Sequence, residues 1–312
     1  MASIHCDRPA VSLGVLALFL LAGCSSGDPA QSVGPASPAA MLSHTTGPQR
    51  YPLEIGNRWS YAGELTITAQ DGAPDDIDFH ESSTEVDEVV GTEQILGTEY
   101  LVTRQTINEE SRQEPLILWV RSRQDRTGLY EADVPLNDPP QGAVASNAGR
   151  ARSDAVFAGA RVSGQAAFAQ LSPPYRAALA TVEAKRRYAE MAIGRVHTMQ
   201  RDASAGEIVR LDYPLHTGAA WNIRTEPFNV HACVEGRDVL DLPVGKTPAW
   251  RVRITLEFLG ENDVVLMWYG DEGYLGYYLH VIGIATDPEG TPIGAFVDEE
   301  TQQLTAVALN TR

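Results

Sequence analysis

Cysteine is scarce in this chain: Cys6, Cys24 and Cys233 are the three among 312 residues. That is too few for a disulfide framework, so a hydrophobic core has to supply the stability. Lysine is scarcer still, with only Lys185 and Lys246, and 24 basic residues face 41 acidic ones for a formal charge of −17. So acidic a chain excludes the basic face that nucleic acid or an anionic bilayer would attract. Missing too are a Gly-x-Ser-x-Gly elbow, a Ser-x-x-Lys pair, a His-Glu-x-x-His helix and a phosphate-cradling glycine loop. The common hydrolase and nucleotide motifs are thereby excluded. The long apolar stretch from Val11 to Leu21 falls short of the roughly twenty residues that a membrane-spanning helix requires.

That stretch follows an N-terminal segment whose basic residue is Arg8, and it ends in Leu21-Ala22-Gly23-Cys24. A short apolar region before small residues has the form of a cleaved export leader. The four-residue ending resembles the lipobox of bacterial lipoproteins. The resemblance implies cleavage before Cys24, a diacylglyceryl thioether on its thiol and acylation of the new amine. Two or three acyl chains make a durable anchor where one is marginal. Ser25 and Ser26 after the cysteine resemble the pattern of lipoproteins sent to the outer membrane, which implies a periplasm-facing location in an organism that has one. With Cys6 lost in the leader and Cys24 acylated, Cys233 is expected to stand alone, without an intramolecular disulfide, as a small buried apolar residue in a strand.

From Cys24 to Arg50 the sequence is Ser-, Gly-, Pro- and Ala-rich and cannot build a core, so a flexible tether is expected over 24–50, with a root-mean-square reach of roughly 25–30 Å. Period-two alternation then begins. Trp59, Tyr61, Gly63, Leu65 and Ile67 share one face, and Arg58, Ser60, Glu64, Thr66 and Thr68 the other. Further strands are expected over 78–90, 100–107, 116–123, 129–133, from Ile208, through Asn229–Glu235, and over 249–259, 264–269, 277–285, 295–297 and 303–309. Turn signals between them give an antiparallel arrangement, not βαβ units. The predicted class is mainly β, between all-β and α+β, as a curved antiparallel sheet or partly open barrel.

An alanine-rich insertion over about 137–204 breaks the rhythm. Within it, Ser172 to Gly194 reads as a helix with Tyr175, Leu179 and Val182 on its apolar face, either covering the sheet or acting as a lid. There is also an internal echo. Tyr51-Pro52-Leu53-Glu54-Ile55-Gly56-Asn57-Arg58-Trp59 returns as Tyr213-Pro214-Leu215-His216-Thr217-Gly218-Ala219-Ala220-Trp221, matching in Tyr, Pro, Leu, Gly and Trp. Two related β-units starting near 51 and 213 are expected within a single domain over 51–312. Pro52 to Tyr61, Leu242-Pro243-Val244-Gly245 with Trp250-Arg251-Val252, and Trp268 to Gly273 resemble segments of exported bacterial β-rich proteins without an assigned activity. That likeness implies a fold and no chemistry.

The candidate site residues are aromatic: Trp59, Tyr61, Trp221, Trp250 and Trp268, with Trp119, Tyr269, Tyr274, Tyr277 and Tyr278 beside them in the sequence pattern. They are expected either to line a cavity for an apolar ligand or to fill a core. The mature histidines, His44, His80, His197, His216, His231 and His280, are dispersed and point to no metal. Asp71 to Asp78, and Glu261, Asp263, Asp271 and Glu272, read as solvated turns. No catalytic set and no cofactor are implied. The reading is a lipid-anchored extracytoplasmic protein that binds an apolar small molecule or an envelope protein. Its alternatives are a structural or assembly component of the envelope and an envelope hydrolase.

Overall fold

The computed structural model describes residues 50–73, 78–134, 136, 138–140, 171–192, 206–225 and 228–310. The expected leader, Cys24, the tether up to Gln49, His44, His197 and most of the insertion lie outside the described residues.

The described chain forms twelve strands and, among the described residues, one helix. They are β1 (Arg58–Gln70), β2 (Phe79–Ile95), β3 (Thr98–Glu109), β4 (Leu116–Gln124), β5 (Gly128–Ala132), α1 (Pro173–Ala192), β6 (Glu207–Asp212), β7 (Ala220–Arg224), β8 (Val230–Leu242), β9 (Gly245–Leu256), β10 (Val264–Gly270), β11 (Gly273–Thr286) and β12 (Pro292–Ala308). All pair antiparallel in the order β6-β5-β4-β3-β2-β1-β12-β11-β10-β9-β8-β7. Two six-stranded meanders therefore meet where β1 pairs with β12, and the sheet curls into a nearly closed barrel. This is the mainly β, partly open barrel with a helical insertion that the alternation predicted. The expected pieces 295–297 and 303–309 are one strand, β12. The polar run between them looks like a loop, yet it is laddered to β1 on one side and β11 on the other.

The two copies of the echo make the same turn. Gly56 N donates to Val89 O at 2.7 Å and Val89 N to Asn57 O at 3.0 Å; Gly218 N donates to Val234 O and Val234 N to Ala219 O, both at 2.8 Å. Gly56 and Gly218 hold φ of +89° and +85°, the left-handed region that only glycine enters cheaply. Just beyond each contact the next strand is bulged, between Val89 and Gly91 in β2 and between Val234 and Gly236 in β8.

The terminal strands β6 and β7 stand side by side where the barrel stays open. Trp221 bridges them, its indole N–H donating to Val209 O at 3.1 Å. Trp221→Phe keeps the ring in the core and removes this donor, so it should cost about 1 kcal/mol. Hydrogen exchange should show faster opening of 207–212 and 220–224, with the β1–β12 ladder unchanged.

Helix α1 occupies one end of the barrel. Ala178, Leu179, Val182, Ala189 and Ala192 are buried, and Tyr175 donates to either Gly72 O or Ile293 O, each at 3.1 Å. The close approach depends on Gly283 of β11, where a Cβ would lie 2.2 Å from Ala178 O and 2.6 Å from Val182 Cγ2. Lys185 pins the helix to the β9–β10 turn, donating to Ile282 O at 2.8 Å and pairing with Asp263 at 2.7 Å. Asp263, expected in a solvated turn, is buried and also accepts from Gly260 N and Ile282 N. Its carboxylate stitches the turn to β11 and α1, which is why water does not reach it.

Candidate functional site

The barrel interior has two characters. Facing inward from β7 to β11 are apolar side chains such as Ile223, Val234, Ile254, Val265, Leu279 and Val281, all buried. From β2 and β12 the same pleat aims polar groups inward. Glu81, Glu85 and Asp87 alternate along β2, and Asp298, Glu300 and Gln302 along β12, every one of them buried. Ionised carboxylates are that deep in a protein only when paired and hydrogen-bonded. Arg186 of α1 donates to Asp298 at 3.1 Å and lies 3.8 Å from Glu190. Tyr277 donates to Glu300. Gln302 donates to Glu85 at 2.7 Å, and Gln105 can donate to Asp87 at 3.3 Å. Arg210 of β6 donates to Glu131 at 2.6 Å and to Ala192 O, at the last turn of α1, at 2.7 Å.

Between this polar floor and an aromatic belt lies a cavity of about 90 Å³, lined among others by Tyr51, Trp59, Glu85, Asp87, Glu131, Arg210, Tyr269 and Tyr274. Tyr51 packs on Trp59 at 5.6 Å, and Tyr274 contacts both Tyr61 and Tyr269 at 5.6 Å. Trp59 donates to Glu272 O at 2.6 Å, and Tyr61 donates to Tyr274 O at 3.3 Å. Burial, aided by the Asp87 charge, raises the Tyr51 phenol well above its usual pKa, and burial does the same for Tyr61 and Tyr269. These phenols stay neutral: Tyr61 and Tyr269 donate, Tyr51 accepts from the Tyr274 backbone N–H, and none is a phenolate nucleophile. Burial pulls the Arg210 guanidinium down, yet the Glu131 carboxylate beside it outweighs that effect and holds it above its ordinary value. The lining includes the hydroxyls of Thr103 and Ser122 but no histidine, cysteine or lysine to activate them. The arrangement can hold a few small polar groups. It is far below the 300 Å³ or so of a pocket for a drug-sized ligand.

The structure brings some of the expected aromatics together and separates others. Trp59 and Tyr61 are buried side by side in the belt, and Trp221 is buried at the open seam. Trp250 is half-buried beneath Arg237, whose guanidinium sits 4.2 Å from its ring. Trp268 lies opposite Arg251 on the outer face, away from the lumen, and donates to Asp238 at 2.9 Å. The sequence reading missed Glu85, Asp87, Glu131, Arg210 and Asp298. Their one signal was acids at alternate positions inside otherwise strand-like segments.

Cys233 departs from expectation twice. It is half-buried on the face opposite Ala232 and Val234, since the core face of β8 is taken by its neighbours. It is also disulfide-bonded, where a lone thiol was expected. Among the described residues, no group of three or more His, Cys, Asp or Glu side chains is arranged to hold a metal ion. No helix among them is long and apolar enough to cross a membrane.

No protein-family model matches the chain, and no curated protein matches it. Among solved structures it is similar to a "putative lipoprotein" from Parabacteroides distasonis ATCC 8503, at 7% identity and a TM-score of 0.32, over 83% of this chain and 97% of that one. It is also similar to a "putative exported protein with YmcC-like fold" from Bacteroides fragilis NCTC 9343, at 8% identity and a TM-score of 0.34, over 83% of this chain and 98% of that one.

Proposed function

We propose that the mature chain is a lipoprotein of the cell envelope, anchored by acyl groups on Cys24, and that its barrel works by binding a protein partner. Where the organism has an outer membrane, the barrel faces the periplasm from it. The anchor rests on Leu21-Ala22-Gly23-Cys24. One observation favours a protein partner over an apolar ligand: the described residues fill most of the lumen. Helix α1, the paired carboxylates and the aromatic belt occupy it, and the cavity among them, about 90 Å³, mixes aromatic and aliphatic walls with the charged groups of Glu85, Asp87, Glu131 and Arg210. An acyl chain there would strip water from Glu85, Asp87 and Glu131 without replacing their hydrogen bonds, at a cost of several kcal/mol.

Mass spectrometry of the protein, purified gently from its native membrane, tests both parts. The expected result is an acylated Cys24 peptide and no stoichiometric apolar companion. A lipid bound one-to-one would overturn the filled-lumen reading. Cys233 sharpens the test, because the other cysteines are Cys6 and Cys24 and a thiol joined to Cys233 cannot also carry a thioether. A Cys24–Cys233 peptide in the mature protein would therefore sink the anchor.

A further inference from the structure

Among the described residues the strand turns lie at two ends of the barrel. At one end is α1, with the turns at 257–263 and 287–291. At the other are the segment 51–57, the turns at 96–97 and 243–244, and the end of β12. This second end collects six of the eight exposed large apolar side chains among the described residues: Ile55, Val90, Leu96, Val239, Val244 and Leu309. Leu96 is 80% exposed and Val239 68%. The two others, Tyr188 on α1 and Ile284 late in β11, lie toward the opposite end. Scattered apolar side chains need no explanation, but this set is not scattered.

Two hairpins carry most of it. Arg58, the first residue of β1, pairs with Glu88 of β2, so β2 runs on beyond its neighbour to the turn at Leu96. Likewise β10 pairs with β9 only as far as Trp250, and the β8–β9 hairpin continues to Val244. The β8–β9 extension starts at its bulge and projects roughly 20 Å at strand rise, whereas β3 stays paired with β4 as far as Leu101↔Ser122, so the β2–β3 tip projects roughly 10–15 Å beyond that pair. In the ring of twelve strands, the β2–β3 and β8–β9 hairpins are six positions apart, on opposite sides of the mouth.

The tips are also close to neutral on a chain of formal charge −17. From Val90 to Thr98 the charged residue is Glu93, paired with Arg121 at 3.0 Å. From Val239 to Thr247, Asp241 stands opposite Lys246 across the ladder. The first turn carries a second mark. Leu96 and Gly97 both hold positive φ, +50° and +82°, a turn that favours Asn-Gly and in which leucine costs about 1–2 kcal/mol. Leu96 edges a cleft with Ile95, Tyr100, Arg123 and Glu207, yet most of the strained side chain stays in solvent.

Arg50, to which the segment before the barrel joins, immediately precedes Tyr51 at this same end. We infer that the occupant of this end is the bilayer surface. The barrel stands mouth-down on the membrane, with Leu96 of one hairpin and Val239 and Val244 of the other dipping into the headgroup–acyl boundary. The inference rests on the Cys24 anchor for proximity, since a 24–50 tether starts at the lipid and ends at this face.

The test uses the full mature lipoprotein reconstituted on vesicles of phosphatidylethanolamine and phosphatidylglycerol. Amide exchange is compared with that of the Cys24→Ser chain in buffer. Expected is at least tenfold slower exchange at 90–98 and 239–247 on vesicles, with 284–291 unchanged. In Leu96→Asp/Val239→Asp that protection should vanish while the acylated protein stays on the vesicles. Equal exchange of the tips in both conditions overturns the inference. So does protection that appears in buffer as protein concentration rises, which would mark a second copy as the occupant. If Cys24 proves to carry no acyl group, the anchor fails by itself. Flotation of the Cys24→Ser chain with saturating vesicles then decides the tips alone: a bound fraction that the double substitution lowers at least tenfold supports them, and no binding overturns them.

Discussion

Gly283→Val should drive α1 out of the barrel end. The valine Cβ would stand 2.2 Å from Ala178 O and 2.6 Å from Val182 Cγ2, and a helix backbone cannot rotate aside as a flexible side chain can. Relief requires the helix to move away from β11. Moving it exposes Ala178, Leu179 and Val182, all buried, and each large apolar side chain returned to water costs about 1.5–3 kcal/mol. A total of about 3–5 kcal/mol is expected, which for a domain of this size lowers Tm by roughly 10 °C. The site of damage should be local. Limited trypsin digestion should cut first at Arg176, Lys185, Arg186 and Arg187, before the strands yield. Digestion that starts in the sheet and spares these positions would show that α1 is not held by this contact.

How much of this was legible beforehand depended on whether polarity and burial agreed. In β1 they agree, and Trp59, Tyr61, Leu65 and Ile67 alternate inward as the sequence alone indicates. In α1, Leu179 and Val182 could be assigned to the buried face from spacing, and the cap signals set its ends to within two residues. The class followed, because antiparallel meanders need only period two and short turns. In β2 and β12 polarity and burial disagree. Glu81, Glu85 and Asp87 face the lumen while Val90 faces solvent, so a hydrophobic pattern misassigns the faces and breaks β12 in two. The partners that make burial tolerable, Arg186 and Arg210, are 112 and 79 residues from the carboxylates they meet, Asp298 and Glu131. No local window contains such a pair. The aromatics divide for a related reason. Trp268 looks equivalent to Trp59 in composition, but it bonds to Asp238 on the outer surface, and only strand register separates the two.

Arg186→Met should be the costliest single change in the lumen, and its repair should be the more telling result. The side chain is 6% exposed and Asp298 fully buried, with Nη1 3.1 Å from the carboxylate and Nε 3.8 Å from Glu190. Methionine fits the apolar stem of the arginine but removes one positive charge from two buried carboxylates. Breaking a buried pair from one side costs about 3–5 kcal/mol. Adding Asp298→Asn to Arg186→Met should recover at least half of that loss, since the second change removes the charge that the first one stranded. Chemical denaturation of the four proteins gives the coupling directly. Strictly additive costs for Arg186→Met and Asp298→Asn would mean that the guanidinium only fills space. In that case the acidic lumen would be held by its hydrogen bonds to Tyr277, Gln302 and Gln105, and α1 by its apolar face and Lys185.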